Sequence, residues 1–353
     1  MKVLLLGYFG YGNYGDEWSL QAVSSAVSRC LPNGEVTVVS ADPEYTRRLH
    51  GLPAVGRGFS SLRNAVSGCD LLVAGGGSLL QDATSLHSLL FYLAIIGYAQ
   101  RKGKKVVLWG QGLGPLKRRV SRQLTVKILN GVDLITLRDS ASWRLLTEIG
   151  VTRPEIHLAA DPVFGADLPE ISAKREPVIT VVLRDWPSLA PSRWLPPLAQ
   201  AVSTLAMEKG LKVQVYSFQA ERDRPIACSF QELLAYAGLE CVVHYGWQSL
   251  EAPFYTFAKS RLVVAQRYHA LALAALAGTP SLALAYDPKV VALAGELGIS
   301  SLNLKNNSNP DRIQQVIREA LTKDQSGVQD AVGKLQKRAA VSGIAFKRLA
   351  AKM

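Results

Sequence analysis

No stretch of this chain reaches the roughly 20 unbroken apolar residues that a membrane-spanning helix needs. The nearest runs, LLFYLAIIGYA (89–99) and ALALAALAGTPSLALAY (270–286), are too short or are broken by Gly, Thr and Pro. Lys2 leads into a short apolar stretch and a glycine loop without a small-residue cleavage site, so no secretory signal is expected. Cysteine is sparse: Cys30, Cys69, Cys228 and Cys241 have no metal-ligand spacing and read as reduced thiols of a cytoplasmic protein. The five histidines show neither H-E-x-x-H nor paired spacing, so no metal site is expected. No glycine loop ends in Gly-Lys-Ser/Thr, which excludes Walker-A chemistry. Basic clusters lack the interleaved aromatics of a single-strand binder, and no nucleic-acid partner is expected.

What the chain has instead is apolar content and positive charge. Of its 353 residues 48% are hydrophobic, and the mean hydropathy is slightly positive. That describes a folded chain long enough for two domains. With Lys and Arg at 40 against 28 acidic residues, the net charge of +12 points to an anionic partner. The excess gathers in RKGKK (101–105), KRRVSR (117–122) and the C-terminus. Each cluster could equally be solvated surface charge.

Short Val/Leu/Ile runs alternate with longer amphipathic stretches, the pattern of a parallel α/β fold. KVLLLG, EVTVVS, CDLLVAGG, KKVVLWGQG, VDLITLRD and EIHLAAD read as strands of a first half. VITVVLRDW, KVQVYSF, CVVHYG, SRLVVAQRYH and PSLALAYD read as strands of a second. DPVFGADLPEISAKREP (161–177), rich in Pro, Asp and Gly, reads as the linker. The expected division is an N-terminal Rossmann-like domain over 1–165, a C-terminal one over 176–308 and a tail of two helices over 309–353. Two such halves facing a cleft make a GT-B-like architecture, with ligands at the carboxyl ends of the strands.

After the first strand comes GYFGYGNYGDEW (7–18), a G-x-G-x-x-G run on Gly10, Gly12 and Gly15, with Asp42 placed like a ribose-binding carboxylate. Asp16 and Glu17 follow, and two carboxylates there complement a helix dipole but repel a diphosphate. The nicotinamide reading loses. Asp16 is either a helix-terminal residue or, with Asn13, a hydrogen-bonding partner for a neutral ligand. The neighbouring aromatics suit a sugar face where they are not core. Gly75-Gly76-Gly77-Ser78, after another strand, either exposes N–H groups to a ligand or forms a plain tight turn. Arg138, Arg184, Arg267 with His269, and Lys289 all follow strands; together they describe a pocket in the cleft for a small, multiply charged anion.

The segments GYFGYGNYGDEWSL, LLVAGGGSLLQD, VLWGQGLGP, TLRDSAS, DPVF, VVLRDW and QRYHALALAALAGTPSLALAYDPKV occur in this order. In that combination the chain resembles the polysaccharide pyruvyl transferases, in particular the bacterial cell-surface anchoring type called CsaB. The resemblance implies transfer of the pyruvyl unit of phosphoenolpyruvate to two sugar hydroxyls as a cyclic ketal, with release of phosphate. It matches Arg138, His269 and Lys289 to positions that hold the donor and Arg267 to an arginine of the same motif; Arg184 joins this donor set by its strand-end placement. The acceptor side would comprise Asn13, Asp16, Gly75, Gly76, Gly77 and Ser78, with Asp16 as candidate base. His269 is either the general acid or a group stabilising the leaving phosphate. Phosphoenolpyruvate is a substrate, and neither a cofactor nor a metal is expected. Tyr268 stands where an aliphatic residue is common, and Trp18 where a smaller one is expected, which bears on the acceptor. Family acceptors are typically lipid-linked, so a cytoplasmic protein would meet an anionic membrane face peripherally, through Lys117, Arg118, Arg119 and Arg122. The alternatives are a GT-B glycosyltransferase using a nucleotide sugar and a non-catalytic anion-binding scaffold.

Overall fold

Strands that are apolar at every position must be covered on both faces, which in a parallel sheet means helices above and below. The computed structural model has this form twice, and describes residues 1–83, 85–171, 174–186, 189–247, 249–305 and 309–353. Ser172 and Ala173 of the expected linker, and 306–308 at the expected end of the second half, lie outside the described residues.

The first sheet has strands β1 (Lys2–Leu6), β2 (Glu35–Ser40), β3 (Ala54–Gly56), β4 (Leu71–Gly75), β5 (Lys105–Gln111), β6 (Leu134–Leu137) and β7 (Glu155–Leu158). All pair in parallel, in the order β3-β2-β1-β4-β5-β6-β7. Between them run α1 (Tyr14–Cys30), α2 (Pro43–His50), α3 (Phe59–Gly68), α4 (Leu86–Arg101), α5 (Arg119–Leu129) and α6 (Ser140–Ile149). The second sheet has β8 (Val178–Val182), β9 (Lys212–Ser217), β10 (Cys241–Tyr245), β11 (Leu262–Ala265), β12 (Ser281–Ala285) and β13 (Ser300–Asn303). Its order is β10-β9-β8-β11-β12-β13, again wholly parallel. Its helices are α7 (Pro191–Lys209), α8 (Ala220–Tyr236), α9 (Ala252–Lys259), α10 (Tyr268–Leu276), α11 (Pro288–Leu297) and α12 (Pro310–Thr322), and the chain ends in α13 (Ser326–Ala350). Each sheet is doubly wound, and its order reverses once: between β1 and β4 in the first, between β8 and β11 in the second. A doubly wound sheet opens its ligand crevice at that reversal, beyond the carboxyl ends of the strands.

The chain divides into two compact units. One comprises Met1–Tyr11, Asp16–Asp167 and Lys334–Met353; the other comprises Gly12–Gly15 and Leu168–Gly333. The tail is therefore not a separate helical piece. Ile313, Val316, Ile317 and Ala320 of α12 join the second core. From Lys334 onward α13 belongs to the first unit, where Leu335, Ala339, Ser342 and Phe346 are buried at helical spacing. Phe346 packs on Trp109, Ser342 Oγ bonds Thr136 Oγ1 at 2.8 Å, and Arg338 Nη2 donates to the Ala159 carbonyl at 2.7 Å. The basic residues of this helix flank an apolar stripe that the first core needs.

Candidate functional site

In the first unit the motifs gather at the β1/β4 reversal. Gly10 has φ +75°, and a Cβ there would lie 2.0 Å from Ser40 Oγ, so only glycine fits. Its N–H donates to Glu17 Oε1 at 2.9 Å, while Glu17 Oε2 meets His50 Nε2 at 2.9 Å. Both side chains are fully buried. Glu17 thus holds the glycine loop, a role not apparent from a lone histidine at the end of α2. Asp42 does not wait for a ribose: its carboxylate accepts the Glu44 and Tyr45 N–H groups and caps α2. Trp18 and Phe9 are core, so the bulk of Trp18 goes into packing.

Gly76 and Gly77 follow β4 with φ +80° and +83°, a turn closed to other residues without strain. The Gly77 carbonyl accepts from Gly112 N at 3.0 Å and from Gln111 Nε2 at 3.2 Å. A Cβ on Gly77 would stand 3.0 Å from Asp16 Oδ1, so Asp16 and this turn are brought together. Ser78 Oγ accepts from Arg138 Nη2 at 3.0 Å. Arg138, only 5% exposed, also meets Asp139 Oδ2 through Nε at 3.1 Å and Asp161 Oδ2 through Nη1 at 3.2 Å. Burial pushes the Asp139 carboxyl up, but the Arg138 charge and hydrogen bonds from Ser142 outweigh it and hold its pKa below the usual range. Arg138 is therefore a buried cation already set against two carboxylates.

Gly112 makes that arrangement possible. A Cβ there would fall 2.6 Å from Ser78 Oγ and 2.7 Å from Arg138 Nε. We predict that Gly112→Ala displaces the guanidinium, costs about 1–3 kcal/mol of stability, and lowers activity. Thermal melting and turnover equal to wild type would refute this packing.

In the second unit, residues 12–15 are latched beside the end of β9. Asn13 forms an antiparallel bridge with Gln219, Tyr14 N donates to the Phe218 carbonyl at 2.8 Å, and Tyr14 Oη donates to the Leu250 carbonyl at 2.6 Å. Tyr14 is fully buried, edge-on to Phe218 and Trp247. A Cβ on Gly15 would lie 2.1 Å from His269 Nδ1, so the absent side chain is what admits the imidazole. His269 is in the first turn of α10, whose N-cap position is held by Arg267 without a side-chain capping bond. Arg267 Nη2 meets Asp223 Oδ1 at 2.5 Å inside the unit, and Asp223 Oδ2 accepts the Gln219 N–H at 3.0 Å. Asp223, which sequence reasoning missed, thereby ties Arg267 to the start of α8.

Arg184 differs. It follows β8 at the β8/β11 reversal, where its N–H donates to Gln266 Oε1 at 2.9 Å. Its guanidinium lies over Trp186 with Cζ 4.7 Å from the ring centroid and donates to Tyr286 Oη at 3.2 Å. Among the described residues it forms no ion pair. Burial pushes the Tyr286 hydroxyl up, although the adjacent Arg184 charge opposes this. Lys289, in the first turn of α11, has its Nζ 3.9 Å from Asp287 Oδ2 and is partly exposed. Arg184, Arg267 and His269 thus flank one reversal point, with Lys289 one strand further along.

The basic cluster is less uniform than its sequence suggests. Lys117, Arg118 and Arg119 are exposed, and the first two donate their backbone N–H groups to Asp82. Arg122 is half-buried and paired with Glu148 at 2.7 Å. No helix among the described residues is long and apolar enough to cross a membrane, and no group of three or more acidic, His or Cys side chains there could hold a metal.

A family model for polysaccharide pyruvyl transferases matches residues 13–288. The chain belongs to this family of transferases. Among solved structures it is similar to MnaA of S. aureus with UDP, at 12% identity over 97% of this chain and 94% of that one, TM-score 0.66. It is also similar to UDP-GlcNAc 2-epimerase of Neisseria meningitidis bound to UDP-GlcNAc, at 13% identity, 98% and 100% coverage and TM-score 0.62. HepE of Anabaena with UDP-glucose matches at 12% identity over 100% of both chains, TM-score 0.65. At such identity the likeness establishes the fold: two parallel α/β domains of the GT-B-like kind.

Proposed function

We propose that this protein transfers the pyruvyl unit of phosphoenolpyruvate to a pair of hydroxyls on a cell-wall or surface polysaccharide sugar. In that reaction C3 of the donor gains a proton, a sugar oxygen bonds to C2, and the C–O bond to phosphate breaks. The second hydroxyl closes the ketal, and of the two hydroxyl protons one is balanced at C3 and the other leaves on phosphate. The observation that carries the reading is the cation set at the β8/β11 reversal, together with the family match. Arg184 offers a guanidinium oriented by Trp186 and Tyr286 that, among the described residues, no carboxylate neutralises. Such a fork suits the donor carboxylate or phosphate. His269 at the head of α10 adds a group able to give a proton or bind the leaving phosphate. Arg267 and Lys289 complete the donor set, and Arg138 enters as a matched position. Asn13, Asp16 and the Gly75–Ser78 turn serve the acceptor, with Asp16 as base. Arg and Lys neutralise the phosphate without requiring a metal or cofactor.

The test is incubation with phosphoenolpyruvate and lipid-linked or aryl-tagged disaccharides, following phosphate release and pyruvyl mass gain. Phosphate release coupled to that gain supports the reading. Release of nucleotide from sugar nucleotides, with none of phosphate from phosphoenolpyruvate, would replace it by glycosyl transfer.

A cytoplasmic protein acting on lipid-linked acceptors would also touch an anionic membrane face. We predict salt-sensitive sedimentation with anionic vesicles, each exposed base near the surface contributing about 1 kcal/mol. Changing Lys117, Arg118 and Arg119 to Gln should reduce it, whereas Arg122, paired with Glu148, should matter less. Equal sedimentation of wild type and triple variant would remove this cluster from the account.

A further inference from the structure

The first unit holds a cluster that the proposed donor chemistry leaves unused. Tyr8 and Tyr11, from the loop after β1, stack with ring centroids 4.0 Å apart and planes within 9°. Arg57, just beyond β3, lays its guanidinium over Phe91 of α4 at 4.0 Å and reaches the rings of Tyr11 and Tyr92 at 5.3 and 5.9 Å. A cation–π contact occupies the flat face of a guanidinium; its N–H donors lie in the plane and emerge at the edge. Among the described residues those donors make no hydrogen bond and no ion pair. Arg138 and Arg267 are the opposite case, each set against buried carboxylates. Arg57 is thus held by aromatic rings with its hydrogen-bonding capacity unspent, half-buried beside a Tyr11 that is 37% exposed.

The cluster adjoins the candidate base. Tyr92 Oη donates to the Gly7 carbonyl at 3.2 Å, fastening α4 to the loop that leads to Asp16. Burial pushes the Tyr92 hydroxyl up; the Arg57 charge opposes this, while Asp16 and Tyr8 add to it. Charges of both signs, from Arg57 and Asp16, therefore reach one phenol.

We propose that Tyr8, Tyr11 and Arg57 form an acceptor subsite for a saccharide bearing an anionic group, a carboxylate or a phosphate, next to the sugar whose hydroxyls react. This rests on the functional reading above and specifies its acceptor. The tyrosines supply apolar ring surface and hydroxyls suited to a sugar. The edge of Arg57 supplies the paired donors that a planar carboxylate or a phosphate takes up. A neutral sugar would leave the guanidinium unanswered.

Calorimetric titration without phosphoenolpyruvate tests this, using three aryl disaccharides that differ only at the terminal unit: a neutral hexose, its uronic acid and its 6-phosphate. Wild type should bind one acidic probe about 10- to 100-fold more tightly than the neutral one, the usual worth of charge-assisted hydrogen bonds. Which acidic probe wins identifies the anion. Arg57→Gln should abolish the preference. Arg57→Lys, which keeps the charge but loses the fork, should reduce it severalfold and decides the matter if the Gln variant does not fold. Arg63→Gln, removing an exposed charge of α3, should retain it. Equal binding of all three probes by wild type, or an undiminished preference in both Arg57 variants, would overturn the proposal. Because no donor is present, a failure of phosphoenolpyruvate turnover bears on the reaction and not on this subsite.

Discussion

His269→Ala is expected to lower pyruvyl transfer by about 10²–10⁴-fold, the typical worth of a positioned acid or base, while the protein stays folded. The imidazole stands in the first turn of α10 and is admitted by the missing side chain of Gly15. Its removal empties a half-buried position at the head of the helix, and a melting temperature measured on the same variant checks that the fold is kept. The two roles open to His269 separate kinetically. As the proton donor to C3 it would affect kcat and leave donor binding nearly intact. As a clamp on the leaving phosphate it would also weaken the donor, read as a higher dissociation constant for phosphoenolpyruvate. Gly15→Ala gives an independent check, since its methyl group would collide with Nδ1 and should reduce turnover without altering the imidazole chemically. Turnover by His269→Ala close to wild type would move the chemistry elsewhere.

Arg138 needs a different interpretation of loss of function. Taking away its guanidinium breaks the ion pairs with Asp139 and Asp161, and removing one member of a buried pair costs about 3–5 kcal/mol. A dead Arg138 variant is informative only if its melting temperature is also known.

The strands that build each core were legible because buried parallel strands are short apolar runs ending in turn residues. So was the position of the motifs, since β1, β4, β8 and β11 flank the two reversal points and the glycine turns, Arg184, Arg267 and His269 follow them. The short edge strands β3 and β13 were not, because AVG and SSLN carry too few apolar residues to stand out. The two helices of the tail were legible, but its many bases hide the stripe of Leu335, Ala339 and Phe346 that covers the first core. Charge partners were the least visible. Asp161 lies 23 residues from Arg138 and Asp223 44 from Arg267, and only the fold brings them together. Nor could a sequence dense in aromatics divide the glycine loop into core (Phe9, Tyr14, Trp18) and accessible rings (Tyr8, Tyr11). That division depends on which residues turn inward after β1.

Asp16→Asn is expected to lower turnover by about 10²–10⁴-fold with donor affinity hardly changed. Asparagine keeps the size and an accepting oxygen but loses the charge and the basicity, so it isolates the proton-accepting role. The position supports that role: Asp16 is in the first turn of α1, 8% exposed, with its carboxylate against the Gly77 turn. Glu17, the adjacent carboxylate, is committed to Gly10 N and His50 and is not available for the task. If Asp16 serves only the helix dipole, the substitution should cost about 0.3–1 kcal/mol of stability and leave the rate alone. Turnover and melting measured on the same preparation separate the two. A small loss of stability with an unchanged rate would end the case for Asp16 as base; a large loss of rate at unchanged stability and donor affinity would establish that its charge acts in the chemistry.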